Sequence, residues 1–243
     1  MKAIALPAYS RPQYTKSLFD SIASAEDWHL FMVCDKSTQT DTLIKMATGY
    51  ANKFAKIHIE INDPRKGMVQ NAFDNIQWTF RMGSEFTVCI EDDLWLSPDF
   101  FHLMNFYIRA YGDAPLTYGA YGAQGGNVDG AEIDQLLLAD YFTGNGWGVF
   151  PSNWEKWFIP RWFEIDLGMK HFGASAIGND WNISGTFREY GVKMPFPALA
   201  RSNHIGEIGG HFHPAAYAEL CGHLVSNKTH CIREFKLKET QCV

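Results

Sequence analysis

Three adjacent carboxylates, Glu91, Asp92 and Asp93, follow an apolar run and are the strongest chemical signal in the chain. Like charges this close repel one another, and burying even one of them is costly without a nearby cation. Carboxylate oxygens suit Mg²⁺ or Mn²⁺, and such ions often share their remaining ligands with substrate phosphates. The triplet therefore predicts a metal-bridged diphosphate site, with a solvated acidic turn as the alternative.

The elements that position this triplet follow an alternating strand and helix pattern. We predict strands at 2–9, 29–35, 56–63 and 85–93, and helices at 11–24, within 39–53 and at 67–80. This order predicts an α/β fold with a mostly parallel sheet flanked by helices. Side chains alternate along a strand, so a fourth strand reaching residue 93 would point Glu91 and Asp93 to one side and Asp92 to the other.

Polar side chains follow each of the other strands as well. Because ligands bind at the carboxyl ends of parallel strands, we expect these residues to converge on one site. They are Tyr9, Ser10 and Arg11 after the first strand, Asp35 after the second, and Asp63, Arg65 and Lys66 after the third.

The chain after residue 96 is less regular. Ser97 and Pro98 predict an N-cap and first turn for a helix through about Tyr111, with Asp99 in that first turn. A strand is predicted from residue 116 into a glycine-rich loop, and an aromatic helix follows the turn at 141–150. We find no repeat and no linker, and therefore treat residues 1–243 as a single domain.

Composition limits the class of protein. The 243 residues are 46% hydrophobic and carry a formal charge of −6, which favours a globular protein without general attraction to nucleic acid. No apolar run reaches the roughly 18 residues of a membrane span, and five scattered cysteines fit a reducing compartment, so we expect a cytoplasmic protein. A zinc site is disfavoured because its candidates match no usual ligand spacing: Cys221, His223, His230 and Cys231.

Three segments together resemble a known family. VCIEDDLWLSPDFF, at 88–101, resembles the acidic DxD motif of GT-A-fold glycosyltransferases, especially the N-acetylglucosaminyltransferase I group. YFTGNGWGVFPSNWEKW, at 141–157, and NDWNI, at 179–183, resemble that group's aromatic turn with its helix and the segment carrying its catalytic base. The N-terminal strands are similar to the GT-A layout shared with glycosyltransferase family 2.

The resemblance implies roles for residues around the donor. Asp93 would ligate a Mn²⁺ or Mg²⁺ ion that bridges the donor diphosphate, Asp92 would lie near the ribose, and Glu91 would support nucleotide or sugar. Surface charge is the alternative for Arg65 and Lys66, and a strand-end turn is the alternative for Asp35. The remaining donor-binding candidates are Pro7, Tyr9, Arg11, Asp35, Arg65 and Lys66.

Other candidates lie on the acceptor side. Asp180 is the expected general base, with capping of its helix as the alternative. Gly146 and Trp147 would form a sugar platform, unless Trp147 packs in the core. His211 is the first candidate for completing the metal site; His204, which we assign to the acceptor side, is the second.

The resemblance implies a metal-dependent, inverting glycosyltransferase that uses a nucleotide sugar, most simply a UDP-sugar. Residues 1–97 would bind the donor and residues 98–243 the acceptor, which is a glycan, a small molecule or a modified DNA base. Two alternatives remain open: nucleotidyl transfer on a related fold, although LPAYSRPQY lacks the usual glycine-rich loop, and a non-catalytic carbohydrate- or nucleotide-binding module.

Overall fold

The computed structural model describes residues 1–113, 117–120, 128, 130–207 and 231–237. The helices are α1 (Pro12–Ser21), α2 (Thr40–Gly49), α3 (Met68–Arg81), α4 (Phe100–Tyr111), α5 (Pro151–Asn153), α6 (Asp166–Phe172) and α7 (Asn179–Tyr190). A 3₁₀ turn, Ala51–Lys53, follows α2, and a π-helical turn, Trp154–Phe158, follows α5. The strands are β1 (Lys2–Ala8), β2 (Trp28–Asp35), β3 (Lys56–Asn62), β4 (Phe86–Cys89), β5 (Leu94–Leu96), β6 (Tyr118–Gly119), β7 (Gln135–Ala139), β8 (Trp147–Val149), β9 (Met194–Pro197), β10 (Ser202–His204) and β11 (Lys236–Leu237).

A six-stranded sheet forms the centre of the molecule, in the order β3-β2-β1-β4-β8-β6. β1 to β4 are mutually parallel, and β8 joins β4 in the antiparallel sense. The carboxyl ends of β1, β2 and β4 therefore lie side by side. The predicted α/β class and mostly parallel sheet are confirmed.

Helices cover both faces of this sheet. Alternate residues of β1 separate the two cores: Ile4 and Leu6 pack with α1, α2 and α4, whereas Ala5 packs with α3 and α7. The second core is rich in aromatic rings from 142–162. Because both faces are covered, β1 and β2 are apolar almost throughout, as expected of buried parallel strands.

Two predicted boundaries are wrong. β4 ends at Cys89, so the acidic triplet lies in the turn after the strand and strand alternation cannot orient its side chains. Helix α4 begins at Phe100 with Asp99 in the N-cap position, two residues later than Ser97. The Asp99 carboxylate instead accepts a 2.9 Å hydrogen bond from Nε of Arg201, and both side chains are fully buried.

Two smaller sheets complete the described part. β5 and β10 pair antiparallel, with Leu94 opposite His204, and β7 lies between β9 and β11. Within the described ranges, no helix has both the length and the apolar character needed to cross a bilayer.

Candidate active site

A cavity of about 400 Å³ opens at the carboxyl ends of β1, β2 and β4. This volume lies in the range of small-molecule sites, roughly 300–1,000 Å³. The predicted convergence of strand-end residues is therefore present. Its wall includes these candidates: Pro7, Tyr9, Arg11, Asp35, Arg65, Glu91, Asp92, Asp93 and His204.

Glu91, Asp93 and His204 line the cavity and form a cluster that could hold a metal ion. One ligand atom from each lies within 4.8 Å of the others. Oδ1 of Asp93 is buried and has no hydrogen-bond partner among the described residues. Two carboxylates suit Mn²⁺ or Mg²⁺, an imidazole suits Mn²⁺ better than Mg²⁺, and an unsatisfied buried oxygen is what a cation would use. The residues present therefore fit the expected ion.

A short antiparallel pairing brings His204 to Asp93. β10 pairs with β5, which directly follows the triplet, and Nε2 of His204 lies 3.2 Å from Oδ2 of Asp93. The Ile205 backbone N–H then donates a 2.8 Å hydrogen bond to the Asp93 carbonyl. At Gly206 a Cβ atom would overlap Oδ2 of Asp93 and lie 2.9 Å from Cε1 of His204. Position 206 therefore requires glycine, because its backbone lies too close to the Asp93 and His204 side chains for a Cβ atom.

Arg11 supplies positive charge to the triplet. Its guanidinium donates hydrogen bonds of 2.5 Å to Oδ1 of Asp92 and to Oδ2 of Asp93. Asp92 and Asp93 therefore face the same cation, and the expected separation of Asp92 from the other two is wrong in this respect. The loop after β1 and the turn after β4 are held together by this double ion pair.

The three carboxyl groups differ in proton affinity. Burial raises the pKa of Asp92 to about 6, although Arg11 opposes the shift. Burial also raises the pKa of Glu91 well above its ordinary value, and the negative charges of Asp93, Asp180 and Asp92 add to this. Burial alone would raise the pKa of Asp93, but His204 and then Arg11 outweigh it and hold that pKa below its ordinary value. A cation near Glu91 would favour its charged form.

Asp35 organises the loop before α3. Its buried carboxylate accepts hydrogen bonds from the backbone N–H groups of Lys66, at 3.2 Å, and Gly67, at 2.7 Å. The Asn62 side chain donates a third, at 2.9 Å. Asp35 thus stabilises the turn after its strand, as the alternative prediction had it, and it also lines the cavity.

The two basic candidates after β3 lie in different places. Arg65 lines the cavity with its guanidinium 3.9 Å from the centre of the Tyr9 ring. The ammonium group of Lys66 instead lies 2.6 Å from the Asp74 carboxylate on α3, and Lys66 is absent from the cavity wall. Arg65 is the better placed of the two to contact a phosphate.

A second, narrow cavity of about 60 Å³ adjoins the first and is lined by Asp180. Pro7, Met68 and Glu91 line both cavities. Asp180 lies in the first turn of α7, and its Oδ2 is 3.0 Å from the position that a Cβ of Gly144 would take. The predicted base therefore lines the same narrow cavity as Glu91 of the acidic triplet.

Trp147 also borders this narrow cavity, but most of its surface packs in the core. Its ring is 2% exposed and stacks on Phe158 at 4.9 Å. Gly146 adopts a φ of +80°, and a Cβ there would lie 3.1 Å from the Phe100 ring. The structure thus gives both residues a packing role beside the site.

Some candidates lie outside the described residues, namely His211, Cys221, His223 and His230. Cys231 is described and exposed. Sequence reasoning did not single out Gly206, although its position two residues after His204 was a usable signal. Trp181, next to Asp180, was also missed as a functional candidate; it is 47% exposed.

Comparison with known proteins gives no match among protein-family models and none among curated sequences. Solved structures do match. The chain superposes on Staphylococcus aureus TarS 1–349 with a TM-score of 0.56 at 11% identity, and on the complex of TarS with UDP-GlcNAc with 0.55 at 12%. GalNAc-T7 with UDP, GalNAc and Mn²⁺ gives 0.53 at 10%.

The chain has a GT-A fold. The alignments cover 85%, 90% and 84% of this chain, in the same order. They cover 60% and 64% of the two TarS chains and 43% of GalNAc-T7, so the chain spans less than two thirds of the length of these structures. In this GT-A fold, the acidic triplet follows the central strand β4.

Proposed function

We propose that this GT-A chain is a metal-dependent, inverting glycosyltransferase that moves a sugar from a UDP-sugar to an acceptor hydroxyl. One observation carries the proposal: the cavity lined by Glu91, Asp93 and His204 shares its Glu91 wall with a narrow cavity that the Asp180 carboxylate lines. A donor and a general base thereby have separate, adjoining places.

The donor half of the proposal rests on the first cavity. Tyr9 offers an aromatic ring, and Arg65 and Arg11 offer positive charge at the carboxyl ends of the strands. Two matching structures, TarS and GalNAc-T7, contain UDP-GlcNAc and UDP with Mn²⁺, respectively. A divalent cation at Glu91, Asp93 and His204 would neutralise charge that develops on a departing nucleoside diphosphate.

The acceptor half rests on Asp180. Displacement with inversion requires the attacking hydroxyl to approach the anomeric carbon from the side opposite the leaving group. Asp180 and Glu91 line the same narrow cavity, and the Asp180 carboxylate would take the proton of that hydroxyl. The donor cavity is lined by His204 and by residues that all lie between positions 7 and 93. A further cavity that Asp180 lines is formed by residues between positions 141 and 188. This arrangement supports the proposed donor and acceptor halves, except that His204, from residues 98–243, lines the donor cavity rather than the acceptor side.

The direct test is release of nucleoside diphosphate from a panel of UDP-, GDP- and TDP-sugars with Mn²⁺. We expect turnover of a UDP-sugar by the wild-type chain, loss of activity with EDTA, and at least about a hundredfold loss in Asp93→Asn. Asp41→Asn, an exposed carboxylate on α2, is the matched control. Release of pyrophosphate would indicate nucleotidyl transfer instead, and absence of both binding and turnover across the panel would refute the proposal.

A further inference from the structure

A third cavity is also lined by Asp180. Its volume is about 520 Å³. It shares Phe142, Gly144 and Asp180 with the narrow cavity, which in turn shares Pro7, Met68 and Glu91 with the first. A molecule in this third cavity could therefore present its reactive group to Asp180.

Aromatic rings form one wall of this third cavity. Trp181 is 47% exposed even though it is next to Asp180, and its ring centre lies 5.2 Å from that of Phe172. Tyr141 lines the same space. A large apolar ring left open beside polar groups is typical of a ligand site, since burying it elsewhere would stabilise the fold. The apolar face of a sugar ring packs on such a surface while its hydroxyl groups keep polar partners.

The charges of this cavity argue against a polyanionic ligand. Arg188 lies 4.3 Å over the Phe172 ring, and its Nε is 3.4 Å from the Asp140 carboxylate. Asp180 is the other charged side chain in the described wall. Nucleic-acid sites neutralise several phosphates with lysine and arginine. One arginine that already faces a carboxylate, next to a second carboxylate, suits a neutral ligand.

From this geometry we infer that the third cavity binds the acceptor and that the acceptor is a neutral saccharide, stacked on Trp181 with one hydroxyl at Asp180. The inference rests on the proposed glycosyl transfer, and it selects a glycan over a modified DNA base. Trp181 is assigned as a residue that determines acceptor specificity. Nucleotide binding is assigned to the first cavity, which Trp181 does not line.

Saccharide binding can be measured without any donor. Saturation-transfer NMR with the methyl glycosides of glucose, galactose, mannose and N-acetylglucosamine would detect it. We expect Trp181→Ala to raise the apparent Kd about tenfold, Trp181→Phe to keep it within about threefold, and both variants to fold normally because the ring is half exposed. Ile177→Ala is the matched control, since Ile177 is 61% exposed and lies outside all three cavity walls.

Release of nucleoside diphosphate gives the second readout. A bound glycoside should accelerate donor cleavage by the wild-type chain and by Ile177→Ala, and Trp181→Ala should lose this acceleration. Unchanged glycoside binding in Trp181→Ala, or binding of a DNA duplex and of no glycoside, would overturn the inference. If glycosides bind through Trp181 but no nucleotide sugar is cleaved, the saccharide site stands and the proposed transferase activity fails.

Discussion

Asp92 gives a stability prediction that can be worked out from the structure. Its side chain is buried, and burial raises its pKa to about 6 from the ordinary 3.8. At about 1.36 kcal/mol per tenfold change in proton affinity, this difference corresponds to about 3 kcal/mol. The folded chain binds this proton more tightly than the unfolded chain does. The stabilising effect of this proton on the folded chain is therefore complete below about pH 4 and is lost as the pH rises through about 6.

The perturbation is Asp92→Asn, which cannot ionise. In metal-free protein we expect the variant to gain about 2 kcal/mol relative to the wild type between pH 4 and pH 8, with a little over half of this between pH 5 and pH 8. The ion pair of ionised Asp92 with Arg11 is already included in this pKa, and the remaining difference between a protonated aspartate and an asparagine adds an offset that does not vary with pH. Only the slope of the difference against pH is therefore diagnostic.

The assay is urea unfolding at several pH values in the presence of EDTA, with Asp41→Asn as an exposed control. Adding Mn²⁺ with UDP should reduce the difference, because a nearby cation stabilises the ionised carboxylate that the wild type alone carries. The reasoning would be refuted if the difference in unfolding free energy between variant and wild type did not change with pH, or if it changed in favour of the wild type as the pH rises. Such a result would mean that Arg11 compensates the buried charge fully.

Three further predictions concern the proposed base, Asp180, and the proposed metal site. Asp180→Asn should lower transfer by roughly 10²–10⁴-fold with little change in nucleotide affinity, because Asp180 does not line the first cavity; wild-type turnover would remove it as the base. Gly206→Ala should displace Asp93 and weaken Mn²⁺ binding, as measured by calorimetry, whereas Gly49→Ala should not, because the space at its Cβ is open. Equal Mn²⁺ affinity in Gly206→Ala and the wild type would contradict the close approach of Gly206 to Asp93. Because the pKa of Glu91 is raised, Mn²⁺ should raise the melting temperature more at pH 8 than at pH 5; a pH-independent shift would exclude Glu91 as a ligand that must lose its proton.

The parts of the fold that were predictable are those set by local pattern. The β/α alternation of the first 90 residues is readable because buried parallel strands are continuous apolar runs and α3 repeats its apolar residues at helical spacing. The end of β4 was not readable in this way. Ile90 is as apolar as the strand before it, and only the pairing with β1 and β8 shows that the ladder stops at Cys89.

The site was predictable to the extent that strand ends converge. Tyr9, Asp35 and Asp93 share a cavity for that reason. His204 was predicted only as the second candidate for the metal site, after His211, because it reaches Asp93 through a three-residue strand far along the chain. Arg11 and the triplet meet across parallel strands, and no sequence spacing encodes that contact. Such partners depend on tertiary pairing.

The electrostatics of the triplet connect the fold to the proposed chemistry. Asp93 is held ionised by His204 and Arg11, whereas burial favours a proton on Asp92 and on Glu91. A site built only for stability would replace such carboxylates with neutral groups of similar size, since buried charge is costly. The free-energy cost of these buried charges is instead concentrated beside the narrow cavity that Asp180 lines, where a cation and a diphosphate would offset it. This location, more than the number of acidic residues, is what favours catalysis over an acidic surface turn.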